Sequence, residues 1–334
     1  MRIETIHTVE DWAALQADWQ SLLESTHQNS PFLTYDFQRA WWQHLGGGEW
    51  QAAQLHILTG RDEAGQLRGI APLFAVGDTL RFIGAHEIAD FLDLIVRPAD
   101  LPAFVQALLA HLAGSDWAAL ELHNLLDESA TPVALQSAAA AAGWAAELET
   151  LQPSPYITLP DSFDAYGEML DSKQAHELRR KLRNAAKYPV AVDLEIVDSR
   201  HPQLAAALDD FFALMAQEAD KAAFLTPDMQ VQMRAIAQAA AAGGWLQLAF
   251  LTVGAERVAG FMNFDYLGRI WAYNSGFSSQ HARLSPGWVL LAYMIEWCIA
   301  QGRSVFDFMR GDEEYKYHFG AQNRFVQRLR LTRA

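Results

Sequence analysis

Gln54 to Thr59 and Gln66 to Val76 are apolar runs separated by the polar turn Gly60 to Gly65. The same pattern returns late in the chain, where Gln247 to Val253 and Val258 to Tyr266 flank the turn Gly254 to Arg257. Length and periodicity predict two strand hairpins. Both copies place Leu-Thr before the turn and a glycine shortly after it, Gly69 and Gly260. The first copy continues with the apolar segment Phe91 to Val96, a helix near Leu101 to Leu112 and a strand at Trp117 to His123. An Ala-rich helix, Pro132 to Ala142, and a strand, Trp144 to Thr150, complete it. The second continues with a strand at Arg269 to Phe277 and a helix from Gly287 to Gln301 closed by Gly302. A strand at Ser304 to Met309, a polar segment and a strand at Arg324 to Thr332 follow. Each half therefore predicts a mixed sheet with helices on its faces, an α/β (α+β) fold.

The prolines between Leu151 and Pro160 mark the join, giving expected domains at 1–153 and 154–334. Two segments fall outside the repeat. Residues 9–45 read as helical and carry Trp12, Trp19, Phe32, Phe37, Trp41 and Trp42. Residues 161–242 read as a helical insertion, with the basic stretch Ser172 to Lys187 and the run His201 to Ala219.

Composition narrows the function classes. With 334 residues and 51% hydrophobic content, the chain has ample material for a core, and disorder is not expected. A formal net charge of -15 argues against general nucleic-acid binding, which needs clustered Lys and Arg. The single cysteine, Cys298, lies in an apolar helical run and reads as a buried structural residue. The eleven histidines show no HxxxH or HxE spacing, so no metal site is expected. The N-terminal residues lack an apolar signal core, and the run Trp288 to Ala300 is too short to span a bilayer. A cytoplasmic protein, monomeric or homodimeric, is expected.

Candidate chemistry concentrates in four places. The stretch FDFMRGDEEYKYHFG, Phe306 to Gly320, brings polar groups to the end of an apolar strand. There Tyr315 and Tyr317 can protonate a leaving group, Asp312 can act as base, and Lys316 or Arg310 can hold an oxyanion or phosphate. Acidic residues at a solvated helix start explain Asp312 to Glu314 equally well. The second place is Arg283 to Trp288. Ser285 suits an N-cap, Pro286 the first helical position, and Gly287 a close ligand approach. Such an end suits a pyrophosphate, with Arg283 as a nearby cation, although an ordinary capped helix has the same signature. The equivalent helix in the first copy starts at Asp100, whose carboxylate would repel a phosphate, so an anionic ligand is expected in the second copy. Third, the basic helix carries Lys173, Arg180 and Lys187 on one face with His176 and Arg183 beside them. It can meet a phosphorylated ligand or an anionic lipid, or be a solvated face. Fourth, Asp90 and Asp93 in ADFLDLIV can bind an acceptor hydroxyl or amine, or cap a turn.

These pieces in order carry a family resemblance: SPFLTYDFQRAWWQHLG, LRGIAPLF, ADFLDLIV, LRRKLRNAAK, NSGF with LSPGW, and FDFMRGDEEYKYHFG. Together they span nearly the whole chain, which resembles tandem GNAT acyltransferases of the CelD-like (cellulose biosynthesis) branch, with Fem-type aminoacyltransferases as more distant relatives. The resemblance implies two GNAT-like domains, each a mixed, mostly antiparallel sheet flanked by helices. It implies acyl transfer from acyl-CoA or acetyl-CoA to an amine or hydroxyl of a small-molecule or glycan-precursor acceptor. Ser285 to Trp288 would then form the pyrophosphate loop, with Tyr273 and Asn274 on the strand that carries the thioester. Tyr315 would protonate the departing thiolate. Asp90, Asp93, Arg180, Arg183 and Arg310 would serve the substrate. HARLSPGW holds one Arg and one Gly, where the usual GNAT loop is richer in both. An aminoacyl-tRNA-dependent Fem-like transfer and a non-catalytic binding protein are the alternatives. The absence of a sustained heptad between residues 161 and 242 speaks against the first of them.

Overall fold

The computed structural model describes residues 1–333, with His86 described by its backbone alone. The chain divides into two compact units: Met1–Gln152 with the residues from Arg324 onward, and Pro153–Asn323.

The first unit opens with β1 (Arg2–Ile6), then α1 (Val9–Ala13), α2 (Gln16–Leu23) and α3 (Tyr35–His44). Strands β2 (Gln54–Leu55), β3 (Ile57–Arg61), β4 (Leu67–Ala71), β5 (Leu73–Val76) and β6 (Thr79–Phe82) follow, with α4 (Ala85–Ile88) and β7 (Ile95–Val96). Then come α5 (Leu101–Ala113), β8 (Ala119–Leu126), α6 (Thr131–Ala142) and β9 (Trp144–Pro153). The expected strand Gln66 to Val76 is two strands. Pro72 interrupts it, having no N–H for a ladder. As a result β4 joins a four-stranded sheet, β1-β3-β4-β7, while β5 joins a six-stranded one. Trp12, Trp19 and Trp41 are fully buried, so the aromatic N-terminal helices build core.

The second unit contains β10 (Tyr156–Thr158), α7 (Phe163–Met169), α8 (Ser172–Ala186), β11 (Val192–Asp198), α9 (Leu204–Met215), α10 (Ala219–Phe224) and α11 (Pro227–Ala242). It continues with β12 (Leu246–Val253), β13 (Glu256–Tyr266), β14 (Arg269–Phe277), a 3-10 turn at Ser279–Leu284, α12 (Pro286–Ala300), β15 (Val305–Asp307) and α13 (Glu314–His318). Its six strands run in the order β10-β15-β14-β13-β12-β11. All neighbouring pairs are antiparallel except β14 with β15. The insertion expected to be purely helical thus contains a strand, β11, which pairs with β12 from Val192 to Asp198. Helix α12 packs its apolar faces on the sheet and buries Cys298 completely. Burial pushes the Cys298 thiol well above its usual range, which makes it inert.

By the repeat in the sequence, the last strand, β16 (Phe325–Arg333), closes the second half. It pairs instead with β8, Val326 opposite Leu126, in the six-stranded sheet of the first unit, ordered β2-β5-β6-β8-β16-β9.

Candidate active site

Strand β14 creates the site by leaving its neighbour. Its ladder to β13 steps from Met262 opposite Asn274 to Asn263 opposite Ala272, so Tyr273 is an extra, bulged residue. A bulge bends and twists a strand. The parallel ladder to β15 stops at Trp271, just before the bulge, whereas β14 runs on to Phe277. Among the described residues, no strand pairs with that edge of β14 from there on. Ser278 donates its N–H to the Val258 carbonyl of β13. By the two-residue alternation of a strand, Ser275 and Phe277 turn their backbone groups to the open edge. The Ser275 carbonyl is taken there by Lys221, whose Nζ donates to it at 2.7 Å.

A cavity of about 650 Å³ lies along this edge. Its walls come from β13 (Ala259 to Phe261), the end of β14 (Ser275 to Phe277), the first turn of α12 (Pro286 to Trp288), Glu218 and Lys221, and Glu313 with Tyr315. Gly276 makes this packing possible. A Cβ there would stand 2.3 Å from the Met215 nitrogen, so only glycine lets the backbone of α9 lie against β14.

The start of α12 is built differently from the expected N-cap. Ser285 adopts the left-handed conformation (φ 54°, ψ 61°) and makes no side-chain capping bond. Its hydroxyl accepts instead from Lys181 Nζ at 2.8 Å. Trp288 and Val289 both donate their N–H to the Ser285 carbonyl, and Pro286 has none to give. Lys181 also lies over the Trp288 ring, 5.4 Å from its centroid. Burial pushes the Lys181 amine below its usual value, with Glu177 opposing that shift. Glu177 is itself gripped by both ends of the Arg180 guanidinium, at 2.8 and 2.6 Å. Of the basic helix, therefore, Lys181 is the residue that reaches the site, and it was not singled out from the sequence. Arg180 is paired within α8, and Arg183 is exposed.

Tyr315 stands on the first turn of α13 and lines the cavity. The loop before it is pinned: Phe308 and Gly311 donate their N–H to the carbonyls of Pro155 and Pro153, both at 3.0 Å. The crowd of protein atoms around the Tyr315 hydroxyl, with the charges of Glu313 and Glu218, raises its pKa. The side chain is 40% exposed, so water weakens that effect without reversing it. Lys316 is not available to an oxyanion. It is 2% exposed and donates to the Arg310 and Gly311 carbonyls at 2.9 and 3.2 Å, with Glu313 at 2.7 Å. It holds the loop in shape. Asp312 accepts from the Tyr317 hydroxyl and lies outside the cavity wall, as do Arg310 and the exposed Arg283.

Of the residues singled out from the sequence, Ser285, Gly287, Trp288 and Tyr315 line this one cavity. Tyr273 and Asn274 fall outside the lining. The Tyr273 ring stacks on Phe264 at 4.8 Å between centroids, and its hydroxyl points to Met233 Sδ at 3.8 Å. In the first unit, Asp93 is fully enclosed. It accepts from Ser129 Oγ (2.6 Å), Thr131 Oγ1 (2.5 Å) and the Leu94 N–H (2.7 Å), so it braces the fold and cannot meet a substrate. Asp90 is half-buried nearby in sequence. At the start of α5, Asp100 lies 4.0 Å from Arg68. Sequence reasoning also missed Glu218 and Lys221. Lys221 is the only Lys or Arg between Arg200 and Arg234, a signal that could have found it. Among the described residues, no group of three or more His, Cys, Asp or Glu is placed to hold a metal, and no helix is long and apolar enough to cross a membrane.

An open strand edge, a helix start and a phenol meet around one cavity. Residues 172–317 match the model of an acetyltransferase (GNAT) domain. The segment contains every residue of the cavity wall. The whole chain is similar in fold to FemX (TM-score 0.64, 11% identity, covering 97% of this chain and 96% of that one). A conserved protein of unknown function from Bacteroides thetaiotaomicron gives a TM-score of 0.60 at 10% identity, covering 99% and 100%. A tandem GNAT protein from the clavulanic acid biosynthesis pathway gives 0.51 at 12%, covering 98% of each chain. None of the curated proteins compared matches the chain. The fold is accordingly of the GNAT kind, with mostly antiparallel sheets flanked by helices, as the sequence predicts.

Proposed function

We propose that the protein is an acyltransferase that moves an acyl group from acyl-CoA to an amine or hydroxyl acceptor. The observation that carries this reading is the cavity on the open edge of β14, bounded at one side by the α12 start and at another by Tyr315, with Lys181 outside the wall on the hydroxyl of the lining residue Ser285. An extended thioester can pair with the N–H groups of Ser275 and Phe277 at that edge, which would polarise its carbonyl. Its phosphates would meet the Lys181 ammonium beside Ser285. This lysine, brought by α8, supplies a cation that HARLSPGW provides only through the exposed Arg283. Tyr315 carries its proton through the neutral range, as an ordinary phenol does and a raised pKa only reinforces, and it can deliver that proton to the departing thiolate.

Within this class, the sequence motifs favour the CelD-like branch and a cytoplasmic role in polysaccharide or cell-envelope metabolism, with a small molecule or glycan precursor as acceptor. The glycine-poor loop and the likeness in fold to FemX leave a second reading, in which an aminoacyl-tRNA replaces CoA as donor. Calorimetry with CoA, acetyl-CoA and a longer acyl-CoA separates the two. Binding of at least one supports the first reading, and binding of none removes it.

A further inference from the structure

Lys221 is the one lysine in the cavity wall. Its Nζ donates to the Ser275 carbonyl at 2.7 Å, to Ser275 Oγ at 3.1 Å and to Glu218 Oε1 at 2.8 Å. The chain thus presents a primary amine of its own, with a carboxylate beside it, at the strand edge along which the donor thioester is proposed to lie. Tyr315, the proposed acid for the leaving thiolate, lines the same cavity. The helix that carries Lys221, α10, has no buried residue to hold it rigidly. The other lysines near the site are placed differently. Lys316 is enclosed by its own loop, and Lys181 lies outside the cavity wall at the Ser285 hydroxyl.

We propose that Lys221 is a site of self-acylation: with no acceptor bound, the acyl group of the donor thioester is transferred to Lys221 Nζ. This rests on the acyl-CoA reading above. The Lys221 ammonium gives one proton to Glu218, and its nitrogen attacks the thioester carbon. The new C–N bond forms, the C–S bond breaks, and Tyr315 protonates the thiolate. The phenol then regains a proton from the nitrogen as the amide is completed. One acyl group moves, and one thiol and one proton are released. No oxidant, reductant or metal is required. The product has no charge and one N–H at Lys221, so the ion pair to Glu218 is lost and at most one of the three hydrogen bonds to Glu218, the Ser275 carbonyl and Ser275 Oγ remains. Acylation would then free α10 from β14 and fill the cavity, which shuts the site when donor is plentiful and acceptor scarce.

The test uses the full chain with acetyl-CoA and no acceptor. Intact mass and peptide mapping are followed in time, and acetyl-CoA binding is measured in parallel by calorimetry. The expected result is a single acetyl group on Lys221, formed at a first-order rate independent of protein concentration. The rate should fall about a hundredfold in Tyr315→Phe, the loss expected for one general acid. Lys221→Arg should remain unmodified, and wild-type mapping alone decides the matter if that variant does not fold. Binding without acetylation of Lys221, or equal labelling of surface lysines, overturns the proposal and leaves the donor reading standing. Absence of acetyl-CoA binding overturns both.

Discussion

Lys181 Nζ donates to Ser285 Oγ at 2.8 Å, which ties helix α8 to the residue that starts α12. Serine before a helix ordinarily caps it with its own hydroxyl. Here the left-handed backbone of Ser285 aims the hydroxyl elsewhere, and a partly buried cation takes its place at the helix start. A cation so placed should bind a donor phosphate through a charge-assisted hydrogen bond. Lys181→Met should weaken CoA affinity about tenfold or more, the effect of losing one hydrogen bond to a charged group. Calorimetry of the variant against CoA checks this, with an unchanged unfolding midpoint showing that α8 still packs. Equal affinity would remove Lys181 from the donor site.

Tyr315 and Lys316 are adjacent in sequence and opposite in role. Tyr315→Phe should lower turnover by about a hundredfold or more, as expected for a general acid, with little change in donor affinity. Lys316→Met should act on stability instead. It strips the partner from two loop carbonyls and from Glu313, and should lower the thermal midpoint. The pair of variants separates chemistry from scaffolding: steady-state kinetics should move with the first and melting with the second.

Much of the second unit was legible in its sequence because its signals are local. The hairpin turns, the Pro-Gly start of α12 and the aromatic end of β15 each sit within a few residues. The site's other parts depend on pairing. Nothing in Arg269 to Phe277 announces that Tyr273 will bulge, since the bulge exists only in register with β13. The partner of β16 lies some two hundred residues away in sequence, and its alternation fits either sheet. Lys181 was readable in principle. It falls on the stripe Leu178, Lys181, Ala185, spaced three and four apart, so a charge sits among otherwise buried positions. The sequence leaves Asp93 as a substrate carboxylate or a turn cap, because it does not show which polar groups will surround it. Ser129 and Thr131, far along the chain, decide its role.

Gly276 should resist even the smallest side chain. Its added Cβ would meet the Met215 nitrogen at 2.3 Å and the Leu214 carbonyl carbon at 2.6 Å, both backbone atoms that no rotamer change can move. Gly276→Ala should therefore push α9 from β14 and cost about 1–3 kcal/mol, the usual range for overpacking. Gly287→Ala provides the contrast. Its Cβ would find Phe277 at 3.5 Å, an ordinary contact. Chemical denaturation of both variants tests this; similar losses would contradict the close approach of α9.

Asp93 predicts a pH dependence confined to the first unit. Complete burial raises its pKa from 3.8 to about 6, against the lowering effect of Ser129, Thr131 and the Leu94 N–H. The folded protein therefore binds a proton at Asp93 that the unfolded chain releases, so stability from this group falls as pH rises between those values. The contribution is complete below pH 3.8 and lost as pH passes about 6. Its size is about 3 kcal/mol, at roughly 1.4 kcal/mol for each tenfold change in proton affinity. Asp93→Asn keeps an acceptor for the Leu94 and Thr131 donors, while the serine hydroxyl can rotate to accept from the amide. It cannot ionise. The stability of the wild type minus that of Asp93→Asn should decline from pH 4 to pH 7, measured by denaturant unfolding of the first unit. The subtraction cancels the other titrating groups, so a flat difference would show that Asp93 ionises as readily in the fold as outside it.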